Sequence, residues 1–545
     1  MRDRIERYAV DKRALEGFYN VPCSLSCLDR RLAFVNDWLG RVETLEFDSL
    51  DQRGKVDYVL LRNHLGAERE SLGFQRRRAD ELRERMPFAA DIADLEDARR
   101  ALRPLDPQAA AHRLDQVGEA AAKLGKSIVP GSSDDGTKTE PEVKLTPVEA
   151  QRCSKALGQL TQTLEAWFKH YADYKPDSRW WLEKPHADAS KRLGKLKKAL
   201  KSITDAAKDG LIGDPIGEEA LRSAIAHEML GYGPEDLVRL GDEELAWCTA
   251  ELLKASAELG FGDDWRAALE HVKGLHVPLG RQDELVAGLA REAIEFVTSR
   301  DLVTIDDLCR ELWYIDMISE KGQKTLPFAG YGFNKVLVSY PTPTMALDDK
   351  AMCVRANNIH FTRAVVHHEL IPGHHLQIYM GNRHSAYRQV FSTPFLGEGW
   401  CLHWEMLLWD LGFPRGPEDK VGMLFWRMHR CARIVVSLRF HLGTMSPEEM
   451  VDYLVDSVGH ERNAATSEVR RYIGGDYVPL YQCAYMIGAL QMRALYRELV
   501  GGGRMANREF HDAVLREGAI PVELIRAQLT GQELTRDYKA SWRFA

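Results

Sequence analysis

The sequence predicts an almost entirely α-helical protein with at most a small β element. Ser446-Pro447-Glu448-Glu449 has the residues of a strong helix start: Ser as N-cap, Pro at the first position and Glu at the third. Alternating apolar and polar residues, the mark of a half-buried strand, are scarce. Apolar residues instead recur at helical spacing, and residues 280–299 place six of them on one face: Leu285, Val286, Leu289, Ala293, Phe296 and Val297.

The predicted elements follow one another as helices, with two short strands among them. The two strands are Lys335–Tyr340, which ends before Pro341, and Cys353–Asn357. Both precede a histidine-rich helix, where an edge strand could hold an extended substrate through backbone hydrogen bonds; irregular loops are the alternative. Helical patterns cover about 148–172, 188–209, 234–259, 280–299, 361–380, 399–411, 417–442, 461–473 and 480–499.

The chain of 545 residues is long enough for more than one lobe. Residues 130–146 are rich in Gly, Ser, Asp, Thr and Pro with almost nothing apolar, which predicts a flexible surface loop or a lobe linker. We expect an N-terminal helical lobe over residues 1–330 and a second helical lobe over 331–545 that carries the functional site. The two lobes are expected to enclose a deep cleft.

Charge and composition narrow the expected partners and location. The net charge of −8 gives no general attraction to nucleic acid. The first residues are charged where a secretory signal would be apolar, and no apolar run reaches the roughly 18 residues of a membrane span. With nine scattered cysteines, these features predict a cytoplasmic protein with reduced thiols and without a membrane or nucleic-acid partner. The oligomeric state is left open.

One short segment carries most of the chemistry in this sequence. Residues 367–375 contain four histidines and one glutamate, Glu369. Gly397-Glu398-Gly399-Trp400 adds a carboxylate 24 residues after His374. A hydrolytic zinc site needs two imidazoles, a carboxylate ligand and a free carboxylate, so this composition predicts such a site.

The spacing of the histidines requires a distorted helix. In the usual zinc motif the histidines are four residues apart, but four residues after His368 the chain has Pro372. On a straight helix His374 would point about 120° away from His368. We expect Pro372 and Gly373 to form a bulge that absorbs two residues and returns His374 to the face of His368. The alternative is a helix that ends at Ile371.

Two further carboxylates have predicted roles around this site. Glu369 points about 100° around the helix from its neighbour His368, which suits a general base that reaches a water molecule without binding the metal. Glu405 lies two turns beyond Glu398 in one helical pattern. Either Glu405 or His403 could orient a ligand histidine, and an ordinary polar residue is the alternative.

The motif H-E-x-x-P-G-H-H-x-Q followed by E-G-W resembles the family named domain of unknown function 885. Downstream segments resemble the family in the same order, and the resemblance is specific from about residue 330 to 530. It implies a mostly helical, zinc-dependent relative of peptidases. The downstream segments are Arg470-Arg471-Tyr472, Ala484–Gly488, Phe510–Leu515 and Gly518–Pro521.

The spacing from His374 to Glu398 is also similar to that in helical zinc peptidases of the angiotensin-converting-enzyme and oligopeptidase groups. This resemblance implies that one zinc ion is bound by His368, His374 and Glu398, with Glu369 as general base. It further implies that Tyr485 stabilises an oxyanion and that Arg471 holds a substrate carboxylate. For these last two residues, helix packing is the alternative.

The leading hypothesis is therefore a zinc metallopeptidase that cleaves short peptides. A non-haem iron enzyme could use the same two histidines and one carboxylate, although it would not need Glu369 and usually has a β-barrel scaffold. A catalytically silent binding protein on this fold is the third possibility. The sequence leaves open the substrate preference, endo- or exo-cleavage and the kind of bond that is cleaved.

Overall fold

Helices dominate the computed structural model, which describes residues 1–132, 138–206, 210–323, 326, 328–475 and 477–545. The predicted all-α fold class, with a small β element, is confirmed. The first seven helices are α1 (Arg2–Phe18), α2 (Leu25–Glu43), α3 (Gln52–Arg85), α4 (Phe88–Arg100), α5 (Pro107–Ser127), α6 (Pro147–Tyr174) and α7 (Pro176–Thr204).

Residues 133–137, at the centre of the loop predicted at 130–146, lie outside the described residues. On either side of them the backbone of β1 (Gly131–Ser132) pairs antiparallel with that of β2 (Lys138–Thr139).

The remaining helices include those that carry the predicted site. They are α8 (Glu218–His227), α9 (Pro234–Glu258), α10 (Trp265–Lys273), α11 (Gln282–Ser299), α12 (Asp307–Glu311), α13 (Glu320–Gln323), α14 (Leu347–Ala356), α15 (Ile359–Glu369), α16 (His374–Gly381), α17 (Pro394–Asp410), α18 (Pro417–His441), α19 (Pro447–Val458), α20 (Arg462–Ile473), α21 (Tyr481–Tyr496), α22 (Asn507–Glu517) and α23 (Val522–Thr530). The helix start predicted at Ser446 is confirmed, since its hydroxyl accepts the Glu449 N–H.

The chain folds into two compact units. The larger consists of residues 1–5, 46–64 and 215–545, and the smaller of residues 6–45 and 65–214. This division differs from the boundary expected near residue 330. Helical periodicity is the same on both sides of any boundary, whereas the division depends on which helices share a core. The expected cleft stays a prediction.

The smaller unit has its own apolar core between α4, α5, α6 and α7. Leucines at helical spacing in α6 and α7 belong to the same core as the buried Trp167. The leucines are Leu157, Leu160 and Leu164 from α6 and Leu182, Leu193, Leu196 and Leu200 from α7.

A three-stranded sheet in the larger unit supports the helix of the histidine motif. Its strands are β3 (Tyr314–Met317), β4 (Ala329–Gly332) and β5 (Lys335–Val338), in the order β3-β5-β4. β3 runs parallel to β5 and β4 antiparallel to it. Val336 and Val338 of β5 pack with Val366 and Leu370 at the end of α15. The predicted strand at 335–340 is thus confirmed in its first four residues.

The second predicted strand, Cys353–Asn357, is wrong, because these residues lie at the end of α14. Asp348 and Asp349 occupy the first turn of α14, where acidic side chains stabilise a helix. β5 is moreover the central strand, so the free edges of this sheet belong to β3 and β4. None of the helices within the described ranges is long and apolar enough to cross a membrane.

Candidate metal centre

The histidine motif spans two helices and the turn between them. The Asn358 side chain caps the start of α15, accepting the N–H groups of His360 and Phe361. α15 ends at Glu369, and α16 begins at His374 after a cis Ile371–Pro372 bond. The predicted continuous helix with a two-residue bulge is therefore wrong. Proline offers no N–H to the α15 hydrogen-bond ladder, and the chain turns instead.

Short contacts hold this turn. The Gly373 N–H donates to the His367 carbonyl at 3.0 Å, and the Trp400 indole N–H donates to the Pro372 carbonyl at 2.8 Å. A Cβ atom at Gly373 would lie 1.8 Å from the His368 carbonyl oxygen, so no other residue fits there. Pro372, Gly373 and Trp400 thus hold this turn together.

The turn brings the two histidine rings together although the helix is broken. The ring centroids of His368 and His374 are 5.1 Å apart. Glu398 Oε2 lies 3.4 Å from His368 Nε2 and 3.2 Å from His374 Nε2. A nitrogen of each ring and the Cys401 Sγ all lie within 4.8 Å of one another. The three residues predicted as metal ligands therefore face one point.

The second oxygen of Glu398 is occupied by a tyrosine. The Tyr481 hydroxyl donates a hydrogen bond to Glu398 Oε1, which leaves Oε2 for the histidines. This contact depends on a close crossing of α17 and α21. A Cβ at Gly399 would lie 2.5 Å from the Gly488 carbonyl carbon, and one at Gly488 would lie 1.9 Å from the Phe395 carbonyl oxygen.

Glu405 lies against His368, on the side away from Glu398. Its Oε1 is 2.7 Å from His368 Nδ1, and Arg430 lies 3.6 Å from the same oxygen. Because Nδ1 faces a carboxylate, it carries the proton in the neutral ring, and Nε2 presents its lone pair to the site. His403, the other candidate for this role, instead lies 3.2 Å from His511 and away from the ligands.

The electrostatics of the centre favour a positive charge between the imidazoles. Burial alone would lower the pKa of His368, but hydrogen bonds to Glu398 and Glu405 raise it to about 9. Burial tends to raise the pKa of Glu398, and the nearby His374 and His368 nevertheless hold that pKa well below its usual range. Carboxylates stabilise a proton on His368 here, and they would stabilise a metal cation in the same way.

Glu369 and Tyr485 border the ligands. Glu369 is half-buried at the end of α15, and its carboxylate accepts no hydrogen bond from any described residue. The Tyr485 ring stacks on the His368 ring, with centroids 6.1 Å apart. Burial and then Glu398 raise the pKa of the Tyr485 hydroxyl, so it stays protonated and can donate.

Arg471 lies further from the ligands than the other predicted residues. Its guanidinium donates to Glu468 at 2.8 Å and stands 5.7 Å from the Tyr477 ring. Tyr477 in turn contacts Tyr481, with ring centroids 4.6 Å apart. One layer of aromatic rings thus separates Arg471 from Glu398.

Several contributors to the site were missed by the sequence analysis. Tyr481 precedes Tyr485 by one helical turn, a spacing that could have indicated a shared face. Cys401 follows Glu398 by three residues in α17 and lies on the same side. Arg430 and Arg433 come from α18, and no local pattern indicates their approach.

The residues fit a divalent metal ion. Two imidazoles whose Nε2 atoms face one carboxylate oxygen provide the nitrogen and oxygen donors that zinc binds. Iron accepts the same nitrogen and oxygen donors, and the Cys401 thiol lies beside the two histidine rings. Burial and then Glu398 raise the pKa of this thiol well above its usual range.

Comparisons with known proteins agree with this fold. The model of the family DUF885, "bacterial protein of unknown function", matches residues 22–529. No curated protein matches the chain. The chain is similar to the solved structure of a "putative lipoprotein of unknown function" from Shewanella oneidensis, with a TM-score of 0.70 and 17% identity over 97% of this chain and 99% of that one.

A second similar structure is a "putative lipoprotein" from Colwellia psychrerythraea, with a TM-score of 0.60 and 15% identity over 97% of this chain and 98% of that one. At these identities the likeness concerns the fold. The two descriptions contradict the cytoplasmic location expected from the sequence, which is withdrawn. That expectation was based on the charged first residues and the scattered cysteines, and neither feature determines the cellular location of a protein.

Proposed function

The chain belongs to the DUF885 family of bacterial proteins of unknown function, and we propose that it is a zinc-dependent metallopeptidase that cleaves short peptides. The family supplies no activity, so this proposal rests on the residues of the site. One observation carries this proposal. His368 and His374 face a single oxygen of Glu398, while the neighbouring carboxylate of Glu369 has no hydrogen bond from any described residue. Three protein ligands leave a position for water on a catalytic zinc ion, and a nearby free carboxylate can serve as the general base.

Each residue has a defined task in this proposal. His368, His374 and Glu398 hold one zinc ion, which when bound polarises a carbonyl and lowers the pKa of a water molecule. Glu405 keeps the proton of His368 on Nδ1 and so keeps Nε2 available. Tyr481 occupies Glu398 Oε1, which restricts that carboxylate to a single-oxygen contact.

Glu369 and Tyr485 act on the substrate. The Glu369 carboxylate accepts a proton from the attacking water and then delivers it to the leaving amine. The Tyr485 ring stacks on that of His368, and its protonated hydroxyl donates a hydrogen bond to the oxygen that becomes negative as the carbonyl is attacked. Both groups are beside the ligands and are not needed to bind the metal.

Replacing Glu369 with Gln tests the proposal. The amide cannot accept the proton, so we expect kcat to fall by about 10²–10⁴-fold while zinc stays bound. Activity is measured by digesting an unbiased peptide library and identifying the products by mass spectrometry. Zinc and iron are measured side by side in the same samples.

A matched control is Glu533→Gln, which makes the same change at an exposed position. We expect it to leave both activity and metal content unchanged. Full hydrolysis by zinc-loaded E369Q would show that the mechanism is wrong. Iron in place of zinc, together with no peptide cleavage by the wild type, would show that the function is wrong.

A further inference from the structure

The exposed face of α7, in the smaller unit, begins with two tryptophans. Trp180 is 75% exposed and Trp181 is 38% exposed. Their rings contact each other edge to face, with centroids 4.8 Å apart. Two neighbouring indoles in water are an unusual feature, because transferring them to a less polar environment would gain free energy.

A group of cations follows the tryptophans in the same helix. Residues 191–201 contain six basic residues and no acidic one. Lys201 pairs with Asp205, but the other five have no ion pair with any described residue. Basic side chains three or four residues apart on a helix repel one another, so an anionic partner would stabilise them. The five are Lys191, Arg192, Lys195, Lys197 and Lys198.

Trp180 and four lysines lie along one ridge of the helix. Because a helix turns about 100° per residue, all five positions fall within about 60° of one another. All five are exposed, both before and after Pro185 within the helix. The ridge is about 27 Å long, and its side chains can contact one flat surface together. The residues of this α7 ridge are Trp180, Lys184, Lys191, Lys195 and Lys198.

The opposite face of α7 holds the ridge in place. Leu193 and Leu196 belong to the apolar core of the smaller unit. α5 also approaches α7 closely, since a Cβ atom at Gly118 would lie 3.2 Å from the Ala189 Cα. The ridge is therefore presented by a well-packed helix, and replacing its exposed side chains leaves that packing intact.

A bilayer that contains anionic lipids suits both kinds of side chain on this face. Tryptophan favours the interfacial layer of a membrane, where its ring meets apolar groups and its N–H stays near water. Lysine ammonium groups are attracted to acidic headgroups, which their long stems can reach. A nucleic-acid duplex would attract the lysines as well, but it offers phosphates and no apolar layer to the two indoles.

We propose that the α7 ridge, with Trp181 beside it, binds the surface of a bilayer that contains anionic phospholipids. The contact is peripheral and reversible, and it depends on salt because most of it is electrostatic. The sequence led us to expect no membrane partner, from the charge of the whole chain and the lack of a spanning segment. Neither of these excludes a local basic surface.

This proposal does not rest on the proposed metallopeptidase function. The α7 ridge belongs to the smaller unit, whereas His368, His374 and Glu398 belong to the larger one. Binding to lipid can therefore be measured without any measurement of activity or metal content.

Co-sedimentation of the whole protein with lipid vesicles tests the proposal. One set of vesicles contains phosphatidylglycerol and phosphatidylcholine in equal parts, and the other contains phosphatidylcholine alone. We expect affinity for the first set to be at least about 10-fold higher, and to be lost at about 1 M salt, where screening acts within about 3 Å. Equal affinity for both sets, or no binding to either, would overturn the proposal.

Removing charge from the ridge tests the role of the lysines. Each lysine near an anionic surface contributes about fivefold in affinity, so K191Q/K195Q/K198Q should bind the anionic vesicles about 10²-fold more weakly. Thermal unfolding of the variant shows that the fold is retained.

The matched control makes the same change of charge at three exposed lysines outside α7, in K254Q/K321Q/K539Q. Its affinity for the anionic vesicles should equal that of the wild type. The same loss in both triple variants would mean that only the total charge matters, and the assignment to the α7 ridge would be wrong.

Replacing the tryptophans separates a bilayer from other anionic partners. W180A/W181A should bind the anionic vesicles at least about 10-fold more weakly, because the indoles no longer enter the interfacial layer. Leu347→Ala, at an apolar residue that is 81% exposed, is the control and should bind as the wild type does. Unchanged binding by W180A/W181A would contradict the bilayer assignment. Binding of a single-stranded oligonucleotide without binding of anionic vesicles would overturn it in favour of nucleic acid.

Discussion

The four histidines of the motif differ in what their ring nitrogens contact. His368 faces Glu405 with Nδ1 and Glu398 with Nε2, and His374 also faces Glu398. His367 instead lies 2.9 Å from the Arg363 carbonyl within its own helix, and His375 lies 2.9 Å from the Cys309 carbonyl. Only the first two are surrounded by carboxylates, so only they are suited to bind a metal ion.

The effect of the Glu405 charge on metal binding can be tested separately from its hydrogen bond to His368. Glu405→Gln keeps an oxygen opposite His368 Nδ1 but removes the negative charge that makes the ring a stronger donor to the metal. We expect zinc affinity to fall about 10- to 100-fold. The measurement is competition with a chromophoric chelator.

Asp410→Asn is the control for this change, since it removes a carboxylate from the exposed end of the same helix, where it pairs with Arg493. Its zinc affinity should equal that of the wild type. The same affinity in E405Q would mean that Glu405 has no influence on the metal.

Among the elements, the crossing of α17 and α21 determines the geometry around Glu398. Glycines meet at the crossing, and the backbones approach too closely for a side chain at Gly399 or Gly488. α17 carries Glu398 and Glu405, whereas α21 carries Tyr481 and Tyr485. The distance between the two helices therefore decides whether the phenols reach the ligands.

Adding one methyl group at this crossing tests that conclusion. In Gly399→Ala the new Cβ meets the backbone of Gly488, and we expect a loss of about 1–3 kcal/mol in the free energy of unfolding. Because the helices must separate, activity should fall further than stability alone explains. Thermal unfolding and kcat/KM are measured together.

Gly397→Ala is the matched control in the same helix. No atom lies within 4 Å of a Cβ at this position, so the substitution should be neutral or stabilise the helix by up to about 1 kcal/mol. If both alanine variants behave alike, close packing at the crossing does not matter.

The whole molecule keeps several histidines buried and neutral, which links its stability to pH. His511 is fully buried, and burial lowers its pKa to about 4; the pKa of His460 is lowered to about 4 in the same way. In the unfolded chain each pKa is about 6.5, so the unfolded chain takes up more protons as pH falls from about 6.5 to about 4. The contribution of these two histidines to stability is therefore complete above about pH 6.5 and decreases below it.

This titration predicts a shallower pH dependence for His511→Gln. Between pH 7 and pH 4.5, each buried histidine should lower the free energy of unfolding of the wild type by about 2–3 kcal/mol. The variant has one such histidine fewer, so its free energy of unfolding should fall by about 2–3 kcal/mol less than that of the wild type. Urea unfolding at the two pH values, followed by tryptophan fluorescence, measures the difference. His112→Gln, at an exposed histidine, should keep the wild-type dependence, and an unchanged slope in H511Q would contradict the prediction.

Local patterns predicted the elements that depend on neighbouring residues. The helix start at Ser446 and the strand at Lys335 are both present, because capping and alternation act within a few residues. Cys353–Asn357 was misassigned because five residues were considered without the acidic turn at Asp348 that begins their helix. The unit boundary near residue 214 could not be found this way, since it depends on contacts between distant helices.

The sequence by itself determined the helical class and the set of candidate ligands, because periodicity and residue type are local properties of the chain. Tertiary structure decided how His374 reaches His368, through a turn held by Trp400 from another helix. It also brought Tyr481 to Glu398, Glu405 to His368, and the arginines of α18 and α20 to Glu468. These contacts join residues from different helices, and such distances are fixed only when the helices pack.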